Sequence, residues 1–254
     1  MRLKLAVSII YIYIYYIMST SNPDKIIILT CTVKCQPGAA PLFQKNSDSR
    51  KDCYLRAIKA WLDETDLYII VVENSNYDFP ELKEYKEKYS NRFEIISFDI
   101  TKNLSDTGLI TKHVTCKNKS KGMLEMFSIN YAYIHSQLVK KHNFNFIIKI
   151  TGRFYIPTFS KFLQTTNFKK YNSMRQIICG WNRCELVGCR KEYFNILFDL
   201  EIASEEKRHI NYVESIYNIR HNTKIPKDTV FICPRFKLGW NTQRGGIKEK
   251  YGSL

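Results

Sequence analysis

Phe146-Ile147-Ile148-Lys149-Ile150-Thr151-Gly152-Arg153-Phe154 is the stretch on which the reading of this chain turns. A short apolar run that ends at a glycine reads as a buried strand. In doubly wound α/β proteins, ligands bind in the crevice beyond the carboxyl ends of such strands. A buried strand has little reason to carry a cation, so Lys149 and Arg153 at its exit point to an anion held there. Gly152 allows the backbone a tight turn and a close approach to a ligand. The expectation is a phosphate-bearing substrate at Thr151, Gly152 and Arg153.

Outward from this strand, apolar runs alternate with helical patterns. Ile26 to Val33 reads as a first buried strand. Arg50 to Thr65 carries Tyr54, Ala57, Ile58, Trp61 and Leu62 at helical spacing. Leu67 to Val72 and Phe93 to Phe98 read as further strands, with a short helix from Pro80 to Tyr89 between them. Asp99 to Lys119 is a long polar connection, a candidate mobile loop over a site. Lys121 to Lys141 reads as one long helix with a stripe through Leu124, Phe127, Tyr131, Ile134 and Leu138. Later strands are expected at Gln176 to Trp181, Cys184 to Gly188 and, last, Thr229 to Cys233. Helices are expected at Arg190 to Ala203 and Glu205 to Asn218. Strand–helix alternation through the first half argues for a mainly parallel sheet flanked by helices. The expected fold class is therefore α/β, a Rossmann-like sheet in a single domain.

The chain has 254 residues, enough for a substantial core, and a formal net charge of +15. That balance favours polyanions or phosphorylated substrates, although the basic residues are dispersed and form no arm or block. The eight cysteines form no CxxC pair, which excludes a zinc-ribbon type of site. Arg2 and Lys4 precede an apolar run from Leu5 to Met18. Residues 1–22 read as a signal segment, an anchor, or an extension upstream of a true start at Met18. Membrane association through residues 5–18 and a cytoplasmic location are the corresponding expectations, and they exclude one another.

A second basic feature, Lys117-Asn118-Lys119-Ser120-Lys121-Gly122, precedes the long helix. Helix N-termini offer unpaired amides to phosphate. GxxxxGK[ST] is absent, as is GxGxxG after the first strand, which argues against a P-loop NTPase and a dinucleotide-binding enzyme.

The order of elements resembles the nucleotide-sugar glycosyltransferases of the GT-A fold, over roughly residues 25–240. The segment RKDCYLRAIKAWLDETDLYIIVVENS (Arg50 to Ser75) looks like that family's first helix and second strand. KITGRF itself resembles a KITGRF/KITGRY group found in large DNA viruses and bacterial polysaccharide loci. The resemblance implies a nucleotide-sugar half over residues 23–154 and an acceptor half over 155–254. It implies donor contacts from Thr30, Thr32, Val33, Arg50, Glu73, Asn74, Lys121, Gly122, Thr151 and Gly152. The family's central strand ends in Asp-x-Asp, which binds a divalent metal. Here Thr151-Gly152-Arg153 stands in that place, so no metal ligand is expected and Arg153, Lys149 and Lys121 are the candidate charges for the leaving diphosphate. Glycosyl transfer with inversion needs a base, usually a carboxylate. Glu214 fits the family's placement, with Glu185 and Glu192 as competitors. Trp181 and Trp240, with Glu185, are expected on the acceptor side, where a glycan, lipid-linked or protein-linked hydroxyl would bind. No cofactor beyond the nucleotide sugar is expected. The alternative from another class is a basic nucleic-acid-binding protein, but no recognised motif for that appears.

Overall fold

Ile, Val and Leu fill most positions of β1 (Lys25–Cys31), β2 (Tyr68–Glu73) and β4 (Phe146–Thr151), and in the computed structural model these three strands lie side by side and parallel. The structure describes residues 24–34, 44, 46–100, 102, 121–178, 180–209, 212–243 and 250–254. β3 (Phe93–Ser97) extends the sheet beyond β2. Beyond β4 come β6 (Trp181–Arg190), β5 (Ser173–Ile178) and β7 (Val230–Cys233), giving the order β3-β2-β1-β4-β6-β5-β7. Only β6 runs against the rest of this sheet. This is the expected α/β class: a mainly parallel, Rossmann-like sheet, flanked by helices, in one domain. The two proposed halves share this sheet.

Strands buried on both faces need cover on both. One face packs on α1 (Ser47–Glu64), which contributes Tyr54, Ala57, Ile58, Trp61 and Leu62, all buried as their spacing predicts. The short helices α2 (Lys83–Lys88) and α5 (Phe159–Thr165) lie on the same side. The other face packs on α3 (Lys121–His135) through Met123, Met126, Phe127 and Ile129. Ile28 and Ile147 serve that second core, and Ile27 and Ile148 the first, as alternation along a strand requires. The chain leaves β1 for β2 on one side and returns from β3 to β4 on the other. The crevice of the sheet therefore lies between the carboxyl ends of β1 and β4.

Several expected elements are revised. The long helix breaks at Ser136, and α4 (Gln137–Lys141) starts anew, because Glu94 of β3 caps it. That carboxylate accepts from Ser136 Oγ at 2.7 Å, Gln137 N at 3.0 Å and Leu138 N at 3.2 Å. No helix spans Arg190 to Ala203: β6 reaches Arg190, and only a turn at Lys191–Tyr193 and α6 (Phe194–Leu197) follow. The carbonyls of Leu197, Asp199 and Glu201 that a longer helix would use internally accept instead from Arg220. The next helix, α7, is Val213–Thr223 rather than Glu205 to Asn218. The last strand is not β7, since β8 (Lys237–Gln243) and β9 (Lys250–Ser253) pair with each other after it. Residues 1–22 and nearly all of the Asp99 to Lys119 connection lie outside the described residues. Asp99 itself bridges to Ser75.

Candidate active site

The carboxyl ends of β1 and β4 lie in register, Thr30 opposite Thr151. Gly152 N donates to Thr30 O at 2.9 Å. A Cβ on Gly152 would fall 2.4 Å from Cys31 Sγ and 3.0 Å from Thr30 O. The glycine is thus required by the close approach of the two strand ends rather than by a turn, a reason different from the one expected.

On the α1 face of this crevice two arginines meet at one phenol. Tyr54 Oη accepts from Arg50 Nη2 and from Arg153 Nη1, each at 3.1 Å, and from Thr32 N at 3.2 Å. Both guanidinium carbons lie 5.8 Å from the Tyr54 ring. Arg50 is 2% and Arg153 6% exposed. Arg50 also donates to Thr32 O at 2.7 Å and Gln44 O at 3.3 Å. Among the described residues neither arginine pairs with a carboxylate, and the buried Nε of Arg153 has no hydrogen-bond partner. Buried cations are ordinarily paired. Two of them side by side at the switch point of a mainly parallel sheet are a charge arrangement suited to an anion.

On the α3 face the charges are matched. Lys149, with no exposed surface, pairs with Glu125 Oε1 at 2.6 Å. It also donates to Thr151 Oγ1 at 3.1 Å and to the carbonyl of Cys184. Burial, the largest single cause, pushes the Lys149 ammonium down, but Glu125, Cys184 and Glu185 together outweigh it, and the group ends above its ordinary value. Thr30 Oγ1 donates to the same Glu125 oxygen at 2.8 Å. Lys149 was expected beside Arg153 in a clamp for diphosphate. Its side chain points to the opposite face, and the anion it serves is Glu125 of the chain itself.

The loop after β1 is braced from β2. Glu73 Oε1 accepts from Val33 N at 2.8 Å and from Ser75 Oγ, while Oε2 accepts from Ser75 N at 2.9 Å and Tyr77 N at 2.8 Å. A carboxylate offers about four acceptor positions, and here all are filled. Burial raises the Glu73 pKa against these hydrogen bonds. Asn74 accepts from Thr32 Oγ1 at 2.7 Å and donates to Ser128 Oγ at 2.9 Å, tying β1 to α3. Thr32, Val33, Glu73 and Asn74 are thus gathered at the crevice, but as the parts that shape its wall.

Gly122 sits where α3 meets α7: a Cβ there would fall 2.5 Å from Val213 Cβ. The backbone of Lys121 starts α3; its side chain, Lys117 and Lys119 lie outside the described set. Glu214, in the first turn of α7, accepts from Cys184 Sγ at 3.1 Å. Glu185 is buried on β6, in the register that continues from the β4 end. Trp181 is 76% exposed at the rim of the β5–β6 hairpin. Trp240 does not join it: its ring stacks on Tyr155, centroids 5.7 Å apart, beneath Arg56 at 4.3 Å. It completes the core on the α1 face.

Two central groups, Tyr54 and Glu125, had not been singled out. Tyr54 fits the apolar stripe of α1, so only its position one turn after Arg50 hints at a polar task. Glu125 is a lone acid among Met123, Leu124, Met126 and Phe127, as Lys149 is a lone cation in its strand. Two such opposites in neighbouring buried elements are the legible signal of a pair.

Carboxylates do not end β4, and among the described residues no group of three His, Cys, Asp or Glu is placed to hold a metal ion. Glu125, which reaches the β1 and β4 ends from α3, is held by Lys149. A guanidinium and a hydroxyl at the β4 end suit an anion, and this residue set does not fit the Asp-x-Asp metal of the GT-A family. The five described cysteines, Cys31, Cys53, Cys184, Cys189 and Cys233, are free thiols.

No known protein family matches the chain in sequence, and no curated protein does. Among solved structures the chain is similar to a Desulfovibrio desulfuricans G20 protein named provisionally as a nucleotide-diphospho-sugar transferase. The identity is 12%, the match covers 83% of this chain and 80% of that one, and the TM-score is 0.43. At that distance the likeness carries no functional argument, which rests on the site itself.

Proposed function

We propose that this protein is a GT-A-like glycosyltransferase that takes a nucleotide-sugar donor and uses Arg50 and Arg153, rather than a metal, to stabilise the leaving diphosphate. The observation that carries the reading is the pair of buried guanidiniums that, among the described residues, meet no carboxylate, at the crevice between β1 and β4. Charge that develops on the leaving group is best met by donors already in place in a water-poor site. Tyr54 holds both guanidiniums in place before the ligand arrives. The acceptor hydroxyl would approach from the side of β6 and α7, where Trp181 offers an aromatic face to a sugar ring and Glu185 and Glu214 lie near the sheet edge.

The test is release of nucleotide from UDP-, GDP-, CMP- and dTDP-sugars by the full chain, with and without EDTA. Release from one donor that survives EDTA is the expected result. Release that EDTA stops would keep the transferase and overturn the arginine clamp. Silence across the panel, with tight salt-sensitive binding to DNA or RNA, would replace the reading with nucleic-acid binding.

A further inference from the structure

Glu125 is the carboxylate that best meets the demands of proton removal in this crevice, and we propose that it is the base that takes the acceptor hydroxyl's proton. The inference rests on the glycosyl-transfer reading above and replaces Glu214 in that role. Four observations converge on it.

Glu125 stands at the switch point itself. Its Oε1 is fixed from β1 by Thr30 Oγ1 at 2.8 Å and from β4 by Lys149 Nζ at 2.6 Å. Both donors approach the same oxygen. Oε2 makes no hydrogen bond among the described residues, so one oxygen anchors the group and the other is left for a substrate. The side chain is 19% exposed, open on one side only. A general base must reach a substrate proton while its own orientation is held, and this division between two oxygens meets both needs.

The wall opposite has the complementary charge. Arg153 lies across the ends of β1 and β4 from Glu125, near enough to feel its charge. Among the described residues one lip thus carries guanidiniums that meet no carboxylate, and the other a carboxylate whose Oε2 accepts no hydrogen bond. A diphosphate on the arginines would set the anomeric carbon between the lips, with an acceptor hydroxyl beside Glu125.

The competitors are placed less well. Glu214 receives the Cys184 thiol on Oε1 and sits at the start of α7, beyond β6. Glu185 is 5% exposed within β6. Glu73 has all its acceptor positions filled.

The placement of Lys149 also acquires a reason. A fully buried lysine in a central strand is rarely a source of stability, since desolvation offsets its attraction to a partner. Its presence is explained if the position of Glu125, rather than folding, is what it serves. In the step itself, the acceptor oxygen bonds to the anomeric carbon as its proton passes to Glu125 Oε2. The bond from the anomeric carbon to the phosphate oxygen breaks, and its electron pair leaves with the nucleoside diphosphate on Arg50 and Arg153. The product has inverted configuration.

The experiment compares the full-length protein with Glu125→Gln and with the double variant Glu125→Gln/Lys149→Met, which removes both charges and so leaves no unpaired buried ammonium. Circular dichroism checks the fold, and calorimetry the affinity for the nucleoside diphosphate of the active donor. The expected result is a fall of about 10²–10⁴-fold in kcat in both variants, with diphosphate affinity and KM for donor little changed. A folded double variant that transfers sugar within about threefold of the parent, well short of what loss of a general base causes, would overturn the assignment and leave the transferase reading intact. A parent protein that releases nucleotide from no donor would overturn both, and the parent arm alone reports that outcome.

Discussion

His221 shows how a titratable side chain here can belong to the core rather than to chemistry. It is 1% exposed on α7, and its Nδ1 lies 3.0 Å from Ser173 Oγ. Burial first, and then the Arg175 charge, pull its pKa down to about 3. In the unfolded chain the imidazole regains its ordinary pKa near ~6.5, so the unfolded state binds a proton that the native state refuses. The resulting stability is complete above that value and drains away as pH falls toward about 3. On the order of a few kcal/mol is at stake. Urea midpoints measured between pH 8 and pH 4 should fall less steeply for His221→Gln than for the parent. Parallel slopes would mean that this histidine does not supply the acid sensitivity. Arg153 differs at the same scale: among the described residues its side chain donates to Tyr54 Oη and pairs with no carboxylate, the arrangement on which the proposed anion site rests.

At the scale of the element, one side chain replaces a helix. Arg220 of α7, fully buried, pairs with both oxygens of Glu206 at 2.8 and 2.9 Å and donates to the carbonyls of Leu197, Asp199 and Glu201. Five donors meeting five acceptors in a planar fork tie down the 197–206 connection at three of its carbonyls and at Glu206. Lys224 adds a longer contact to Glu206 at 3.4 Å. Removing one partner of a buried pair strands the other. Arg220→Ala should therefore lower unfolding stability by about 3–5 kcal/mol, while Glu206→Gln/Arg220→Met should recover part of the loss. Chemical denaturation of the two variants checks this, and equal stabilities would show that Glu206 is not stranded by the single change. This connection leads into α7 and hence to Val213, which packs on Gly122 at the start of α3. The clamp thereby sets the wall on which Glu125 stands.

Across the whole molecule, doubly wound topology decides which residues share a site. Thr30, Arg50, Glu125 and Arg153 come from β1, α1, α3 and the end of β4, and only the reversal of strand order at β1 and β4 brings them together. A ligand bound there ties both faces of the sheet and should stabilise the entire fold. At a concentration of 100 times its dissociation constant, a nucleoside diphosphate should add about 2.7 kcal/mol. Thermal denaturation should show a clear rise for the parent and none for Arg50→Ala or Arg153→Ala at the same concentration. A rise that persists in both variants would place the anion elsewhere. The charge of +15 also implies that this rise shrinks with added salt, although buried charges are screened less than surface ones.

Hydrophobic pattern alone determined the α/β class, because buried parallel strands must be apolar and their covering helices must carry a stripe. β1, β2, β3, β4 and α1 were legible within a residue or a few, and so was the core position of Trp61, now 0% exposed. The cation-bearing end of FIIKITGRF pointed to the place of the candidate site for the same reason: charge in a buried strand needs an explanation. Which partner meets which cation was decided only by the tertiary structure. Lys149 and Arg153 are four residues apart, a spacing that would share one face in a continuing strand. But β4 ends at Thr151 and the chain turns there, Phe154 N donating to Thr151 O, so the two side chains part, one to Glu125 and one to Tyr54. Partners 24 and 99 residues away in the chain are joined by the sheet, not by local pattern. The break at Ser136 was hidden likewise, since its cap comes from Glu94 on another strand, 42 residues earlier. Local periodicity reports what a segment buries, and folding alone decides what its charges meet.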